Sequence, residues 1–253
     1  MTVGFETHGA VLVVSIEHPE RRNAVDSATA ALLYDAFQRF EADAALHVAI
    51  LTGSGGHFCA GADLKALSEG DRRPISDSGR GPMGPARMRL SKPVIAAIEG
   101  YAVAGGMELA LWCDLRVMAR SAKMGVFCRR FGVPLVDMGA IRLPRLIGQS
   151  RATDLILTGR EVDAEEALAI GLANRVAGEG EALEAALALA QDIAAFPQLC
   201  LRNDRAVMLD QWALSEEDAI RLEARLGRET VSSGETLSGA AAFAGGKGRH
   251  GAF

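Results

Sequence analysis

One pattern, met twice, constrains the fold of this chain most: a short apolar run, a glycine-rich turn, then good helix formers. Residues 47–51 (HVAIL) lead into a glycine-rich stretch that ends His57-Phe58-Cys59-Ala60-Gly61-Ala62-Asp63-Leu64. Residues 93–98 (PVIAAI) lead into Gly100-Tyr101-Ala102-Val103-Ala104-Gly105-Gly106-Met107-Glu108. A β-branched apolar run bounded by turn residues reads as a buried strand. Small residues in the turn let a ligand approach the backbone. A helix start leaves N–H groups without intrahelical partners, and these attract negative charge. Two such turns facing one oxygen would form an oxyanion hole. Neither carries a dinucleotide fingerprint or the Lys-Ser/Thr of a phosphate-cradling loop. Read singly, each is equally well a tight connection.

Around these turns the chain alternates before it becomes helical. Residues 10–16 (AVLVVSI) and 115–119 read as further strands, and 27–43 as a helix capped by Asp26 or Ser27. Residues 70–85 are too rich in glycine and proline for regular structure and read as a mobile surface loop. Helical spacing then covers 150–157, 163–170, 181–196, 197–209 and 215–232, with Asp163 and Ser215 at cap positions. No internal repeat is visible. Strand–helix alternation followed by helices predicts an α/β core with a helical C-terminal extension, divided into 1–196 and 197–253.

Charge and cysteine usage exclude several classes. The net charge of −5 and the lack of a basic block argue against nucleic acid and anionic membranes as partners. Four cysteines, with no zinc or redox spacing, point to a reducing compartment, the cytoplasm. Residues 1–8 do not resemble a signal peptide, and the longest uncharged apolar run, within 100–107, is too short to span a membrane.

Three stretches, in order, resemble the enoyl-CoA hydratase/isomerase (crotonase) family: Arg22-Asn23-Ala24-Val25, residues 58–64 (FCAGADL) and residues 100–114 (GYAVAGGMELALWCD). Residues 143–148 (LPRLIG) and 164–176 (AEEALAIGLANRV) are similar too. The resemblance spans about residues 10–180. It implies a spiral of ββα units, with a C-terminal helical region that packs trimers or hexamers. It also implies an enzyme, a lyase or isomerase of acyl-chain metabolism, acting on acyl-CoA with no cofactor beyond the CoA of the substrate.

The resemblance further implies roles for single residues. Ala62 and Gly105 stand where the family's oxyanion-hole N–H groups stand. Ala60, Asp63 and Leu64 fall along the adenine and pantetheine channel. Arg22 and Lys65 fall where relatives set cations against CoA phosphates, though both are equally ordinary solvated charges. Ala24, Tyr101, Val103 and Cys128 complete the expected substrate- and CoA-binding set. Glu108 matches a catalytic glutamate; its plain alternative is a helix-start carboxylate favoured by the macrodipole. The family's hydratases place a second glutamate about twenty residues on, where this chain has Cys128. A thiol of pKa ~8.5 is mostly protonated at neutral pH and does not replace a carboxylate. Asp137 matches an aspartate of some isomerases and a dehalogenase; the alternative is a helix cap. Asp114 reads as structural and His57 as a loop residue, while His18 and His250 lack an acidic or cysteine partner nearby. The expected activity is hydration or double-bond isomerisation through an enolate. The alternatives are a non-catalytic acyl-CoA-binding homologue, or a less usual reaction such as thioester hydrolysis.

Overall fold

The computed structural model describes residues 2–248, and His250 lies outside them. The chain divides into two compact units, residues 1–194 and 195–253. The first opens with β1 (Val3–His8) and β2 (Val11–Ile16), then α1 (Ser27–Ala42), β3 (Val48–Gly53) and a short α2 (Leu64–Ser68). Next come β4 (Val94–Ile98), β5 (Tyr101–Val103), α3 (Gly105–Trp112), β6 (Leu115–Ala119) and β7 (Lys123–Gly125). It continues through α4 (Gly139–Ile147), α5 (Gln149–Thr158), β8 (Glu161–Asp163), α6 (Ala164–Ala169), β9 (Arg175–Ala177) and α7 (Ala182–Ala195).

The main sheet has the order β1-β2-β3-β4-β6-β9, parallel except for the β1–β2 hairpin. Alternate residues face opposite ways along a strand. Val11, Val13, Ile50, Ile95 and Val117 pack on one side with Ala186 and Ala190 of α7. Leu12, Val14, Leu51, Ala96 and Ile98 face the other side, with Leu33, Phe37 and Phe40 of α1 and Met107 and Leu111 of α3. Burial on both faces is why these strands read as continuous apolar runs.

A smaller sheet, β5-β7-β8, lies beyond the strand ends. Single parallel pairings, Cys59 with Ala102 and Val25 with Ala62, continue it. The chain thus repeats one move: a main-sheet strand, a short pairing in the small sheet, then a helix. The units are spatially equivalent without repeating in sequence, because the short pairing needs backbone rather than particular side chains. β1 and the short strands lack an apolar run, which is why sequence reading passed over them.

Buried polar groups lock the turns. Asn23 is fully buried in the left-handed region (φ 57°), which asparagine tolerates better than most residues. Its Oδ1 accepts from His18 N–H (2.9 Å), and its Nδ2 donates to the carbonyls of Ser54 (2.8 Å) and His57 (2.6 Å). Arg116, 2% exposed, donates to the carbonyls of Leu172 (2.6 Å) and Cys113 (2.8 Å) and to Asn174 Oδ1 (3.1 Å). Asp26 caps α1, Asp163 caps α6, and Asp114 accepts from Val94 N–H (2.8 Å). His18 does have an acidic neighbour, Glu20, 3.1 Å away and only two residues on.

The second unit holds α8 (Gln198–Asp210), α9 (Glu216–Ser232) and α10 (Glu235–Ala244). Asn203 Nδ2 joins α8 to α9 by donating to Leu226 O (3.1 Å) and Thr230 Oγ1 (3.0 Å). Glu235 accepts from the N–H groups of Leu199 (3.0 Å) and Cys200 (2.9 Å) at the start of α8. No apolar side chain of α8, α9 or α10 is buried. Among the described residues, no helix is long and apolar enough to cross a membrane.

Asn23→Ala should lower unfolding free energy by about 2–4 kcal/mol, since it removes three hydrogen bonds at once and strands two half-buried carbonyls and an N–H together. Urea denaturation monitored by fluorescence checks this; a loss smaller than ~0.5 kcal/mol would mean that water replaces all three bonds.

Candidate active site

The small sheet pairs the peptide groups on both sides of Ala62 and the two amides that precede Gly105, and leaves the N–H of Ala62 and of Gly105 open. Val25 N–H donates to Gly61 O (2.8 Å) and Asp63 N–H to Val25 O (2.9 Å), while Ala62 N–H, between them, has no partner among the described residues. Val103 N–H donates to Cys59 O (3.0 Å) and Ala104 N–H to Gly125 O (2.9 Å). The next amide, Gly105 N–H, opens α3 and is likewise unpaired among the described residues. The two turns touch. A side-chain carbon at Gly61 would stand 2.9 Å from Gly105 N, so only glycine allows the approach. Ala104 itself adopts φ 54°, ψ −125°, which aims the peptide into Gly105.

Both turns open on a cavity of about 460 Å³. Of the residues singled out in the sequence, it gathers Ala60, Ala62, Leu64, Gly105, Glu108, Cys128 and Asp137. Glu108, 3% exposed in the first turn of α3, accepts through Oε1 from Asp137 N–H (2.9 Å) and Gly139 N–H (2.8 Å). Its Oε2 has no hydrogen bond among the described residues. A side-chain carbon at Gly139 would meet Glu108 Oε1 at 2.8 Å, so that glycine makes room for the carboxyl. Burial pushes the Glu108 pKa up to about 7; the Gly139 N–H opposes the rise and the Asp137 charge adds to it.

Asp137, 1% exposed, does not cap α4. The position before that helix is Met138, in the left-handed region (φ 71°), and Asp137 Oδ1 instead accepts from Met83 N–H (3.1 Å). Burial raises its pKa, while the Met83 N–H and the charges of Arg87, Arg73 and Arg142 pull it back. Burial, then the charge of Glu108, raises the Cys128 thiol, so Arg129 does not make it a thiolate at neutral pH.

Other expected contacts lie apart from this cavity. Asp63 caps α2, accepting from Lys65 N–H (2.9 Å) and Ala66 N–H (3.0 Å), and pairs with Arg21. Burial raises its pKa, but those partners win and hold it below the ordinary value. Lys65 is exposed and Ala24 and Val103 are buried; none of the three borders the cavity. The Arg22 guanidinium lies 5.4 Å from the Tyr101 ring centroid, and that ring stacks on His57. His57 and Tyr101 border a separate cavity of about 900 Å³. Sequence reading missed Met83, Phe127, Phe131 and Arg73 as individual wall residues. The irregular composition of residues 70–85 was the signal for that segment, and the turn before Gly132 carried none.

A family model described as enoyl-CoA hydratase/isomerase matches residues 6–248. An enoyl-CoA hydratase of Mycobacterium tuberculosis is 36% identical over 247 residues, covering 94% of this chain and 92% of that protein. A carnitinyl-CoA dehydratase of Proteus mirabilis is 37% identical and covers 85% of this chain and 83% of its own. The crystal structure of an enoyl-CoA hydratase from Mycobacterium marinum superposes with a TM-score of 0.91 at 38% identity, over 96% of this chain and 95% of that one. By family model, relatives and spiral architecture alike, the chain belongs to the enoyl-CoA hydratase/isomerase family and has its crotonase fold.

Proposed function

We propose that this enzyme binds an acyl-CoA thioester with its carbonyl oxygen between Ala62 N–H and Gly105 N–H, and moves protons on the acyl chain with Glu108. The observation that carries this reading is a buried carboxyl, of pKa about 7, sharing one cavity with two unpaired backbone N–H groups. A base poised near the working pH is suited to proton abstraction. In this scheme Glu108 takes a proton from C2 of a 3-enoyl thioester. The electron pair spreads onto the thioester oxygen, where two preorganised donors are worth roughly 3 kcal/mol each. A proton returned at C4 completes isomerisation. No cofactor beyond the CoA of the substrate is required by this chemistry.

Cys128 tilts the choice towards isomerisation. Hydration needs a second group to hold and deprotonate water, and a protonated thiol is a poor one. The same protonation disfavours Cys128 as the nucleophile of thioester hydrolysis. Asp137 is the other acid lining the cavity and serves as the second proton carrier in this reading. Incubation with a panel of enoyl-CoAs in heavy water, with products weighed by mass spectrometry, separates the outcomes. Deuterium gain without added water marks isomerisation, added water marks hydration, and unchanged substrate across the panel contradicts the reading.

The second unit is proposed to close homotrimers, or hexamers built from two of them. Its support is the apolar surface of helices that bury no apolar side chain completely, including Leu237 (74% exposed) and Phe243 (66% exposed). Light scattering at micromolar concentration should give a trimer or hexamer mass; a clean monomer refutes this assembly.

Glu108→Gln should lower turnover by ~10²–10⁴-fold. In the parent enzyme the rate should rise with pH through about 7, as Glu108 loses its proton. Asp137→Asn should lower turnover with little change in melting temperature, and should shift that limb to lower pH because the charge that raises Glu108 is gone. Stability gives an independent readout. Folding raises the Glu108 pKa from 4.5 to about 7, so its contribution is fully present below 4.5 and lost as pH rises through 7. Glu108→Gln should therefore melt higher than the parent at pH ~8 and not at pH ~4. Full activity in Glu108→Gln would end the assignment.

A further inference from the structure

The cavity wall carries two acids, Glu108 and Asp137, and one cation, Arg73. Arg73 is half-buried and forms no ion pair among the described residues. Its Nη1 donates to Pro82 O (2.8 Å) and lies 3.9 Å from Met83 Sδ. Nε and Nη2 have no partner among the described residues. The neighbouring arginines do not border the cavity and are directed at backbone carbonyls. Arg87 donates to the carbonyls of Ser76 (2.7 Å) and Val136 (2.7 Å), and Arg142 to those of Ala86 (2.7 Å) and Asp137 (3.3 Å).

Arg73 sits at the reacting end of the cavity. The Met83 sulfur it approaches would be 2.6 Å from a side-chain carbon at Gly105, so one thioether separates the guanidinium from a candidate oxyanion donor. Its charge is also felt at Asp137. The rest of the wall, including Leu67, Ile75, Phe127, Phe131 and Val133, is apolar.

These facts conflict with a purely apolar substrate. A hydrocarbon chain filling the cavity would strip water from the guanidinium donors and return nothing. A carboxylate on the acyl group would accept from the same donors, and the planar fork of arginine suits a carboxylate. We propose that Arg73 selects acyl groups bearing a carboxylate, so that the substrates are CoA thioesters of short dicarboxylic acids. This rests on the acyl-CoA reading above and adds the class of acyl group to it.

Calorimetry with glutaryl-CoA, butyryl-CoA and free CoA tests the idea without turnover. The parent enzyme should bind glutaryl-CoA roughly 10- to 100-fold more tightly than butyryl-CoA, the range expected of hydrogen bonds between charged groups. Arg73→Leu should abolish that preference, and Arg73→Lys should restore part of it. Equal binding of the two thioesters by the parent, or a preference that survives Arg73→Leu, overturns the proposal and leaves the acyl-CoA reading intact. If Arg73→Leu weakens free CoA as much as glutaryl-CoA, Arg73 contacts the CoA phosphates and the proposal is wrong. If the parent binds neither thioester, both readings fall.

Discussion

The cavity depends on hydrogen bonds exchanged between turns from distant parts of the chain. Ala60 N–H reaches Arg22 O (3.0 Å), Cys59 N–H reaches Tyr101 O (2.9 Å), and Lys123 N–H reaches Gly100 O (2.7 Å). Each is worth only ~1 kcal/mol net, but together they fix the turns as a sheet fixes strands. This second layer makes the open amides at Ala62 and Gly105 meaningful. In a loose loop an unpaired N–H would turn to water. Here the neighbouring amides are held, so the open ones keep their direction whether or not a ligand is present. That is preorganisation in a physical sense: the donors need not reorient when charge develops.

Charge is handled differently on the two sides of that layer. Away from the cavity, buried cations rest on backbone carbonyls: Arg116 on Leu172 and Cys113, and Lys92 Nζ on Phe40 O (2.8 Å) and Asp43 O (2.6 Å). Those groups are satisfied. At the cavity the carboxyls are only partly satisfied. Glu108 receives two N–H groups on one oxygen, and Asp137 receives Met83 N–H. Burial outweighs these bonds, and both carboxyls hold protons more tightly than exposed ones do. A buried acid left short of partners is poorly suited to scaffolding and well suited to exchanging a proton.

Four strands of the main sheet, β2, β3, β4 and β6, were legible in the sequence because they are buried on both faces; β1 and β9, partly exposed, were not. β6 has the predicted bounds, and the two glycine-rich turns lie where the paired pattern put them. Helix starts at Asp163 and Ser215 were legible because a side chain performs the capping. The short pairings of the small sheet were not, since three-residue strands such as β5 and β7 carry no periodicity. At the site, the cavity collects Glu108, Asp137 and both turns, whose chemistry shows in residue type. The role of Gly139 was invisible, because it lies in what a missing side chain makes room for, thirty-one residues from Glu108. Arg73 stood in a segment recognisable only as irregular. Asp63 was expected along the CoA channel, and its cap of α2 and its pairing with Arg21 were not legible beside that expectation.

Ala104 has a consequence for how this protein would evolve under selection. A residue with a Cβ at φ 54°, ψ −125° carries local strain of about 1–3 kcal/mol, which glycine would relieve. A search for heat-tolerant variants that scored melting temperature alone would therefore tend to accept glycine there. The same change would widen the range of orientations open to the peptide leading into Gly105. Thermal robustness and a sharply aimed N–H thus draw on one dihedral pair, and this single position sets an exchange rate between them.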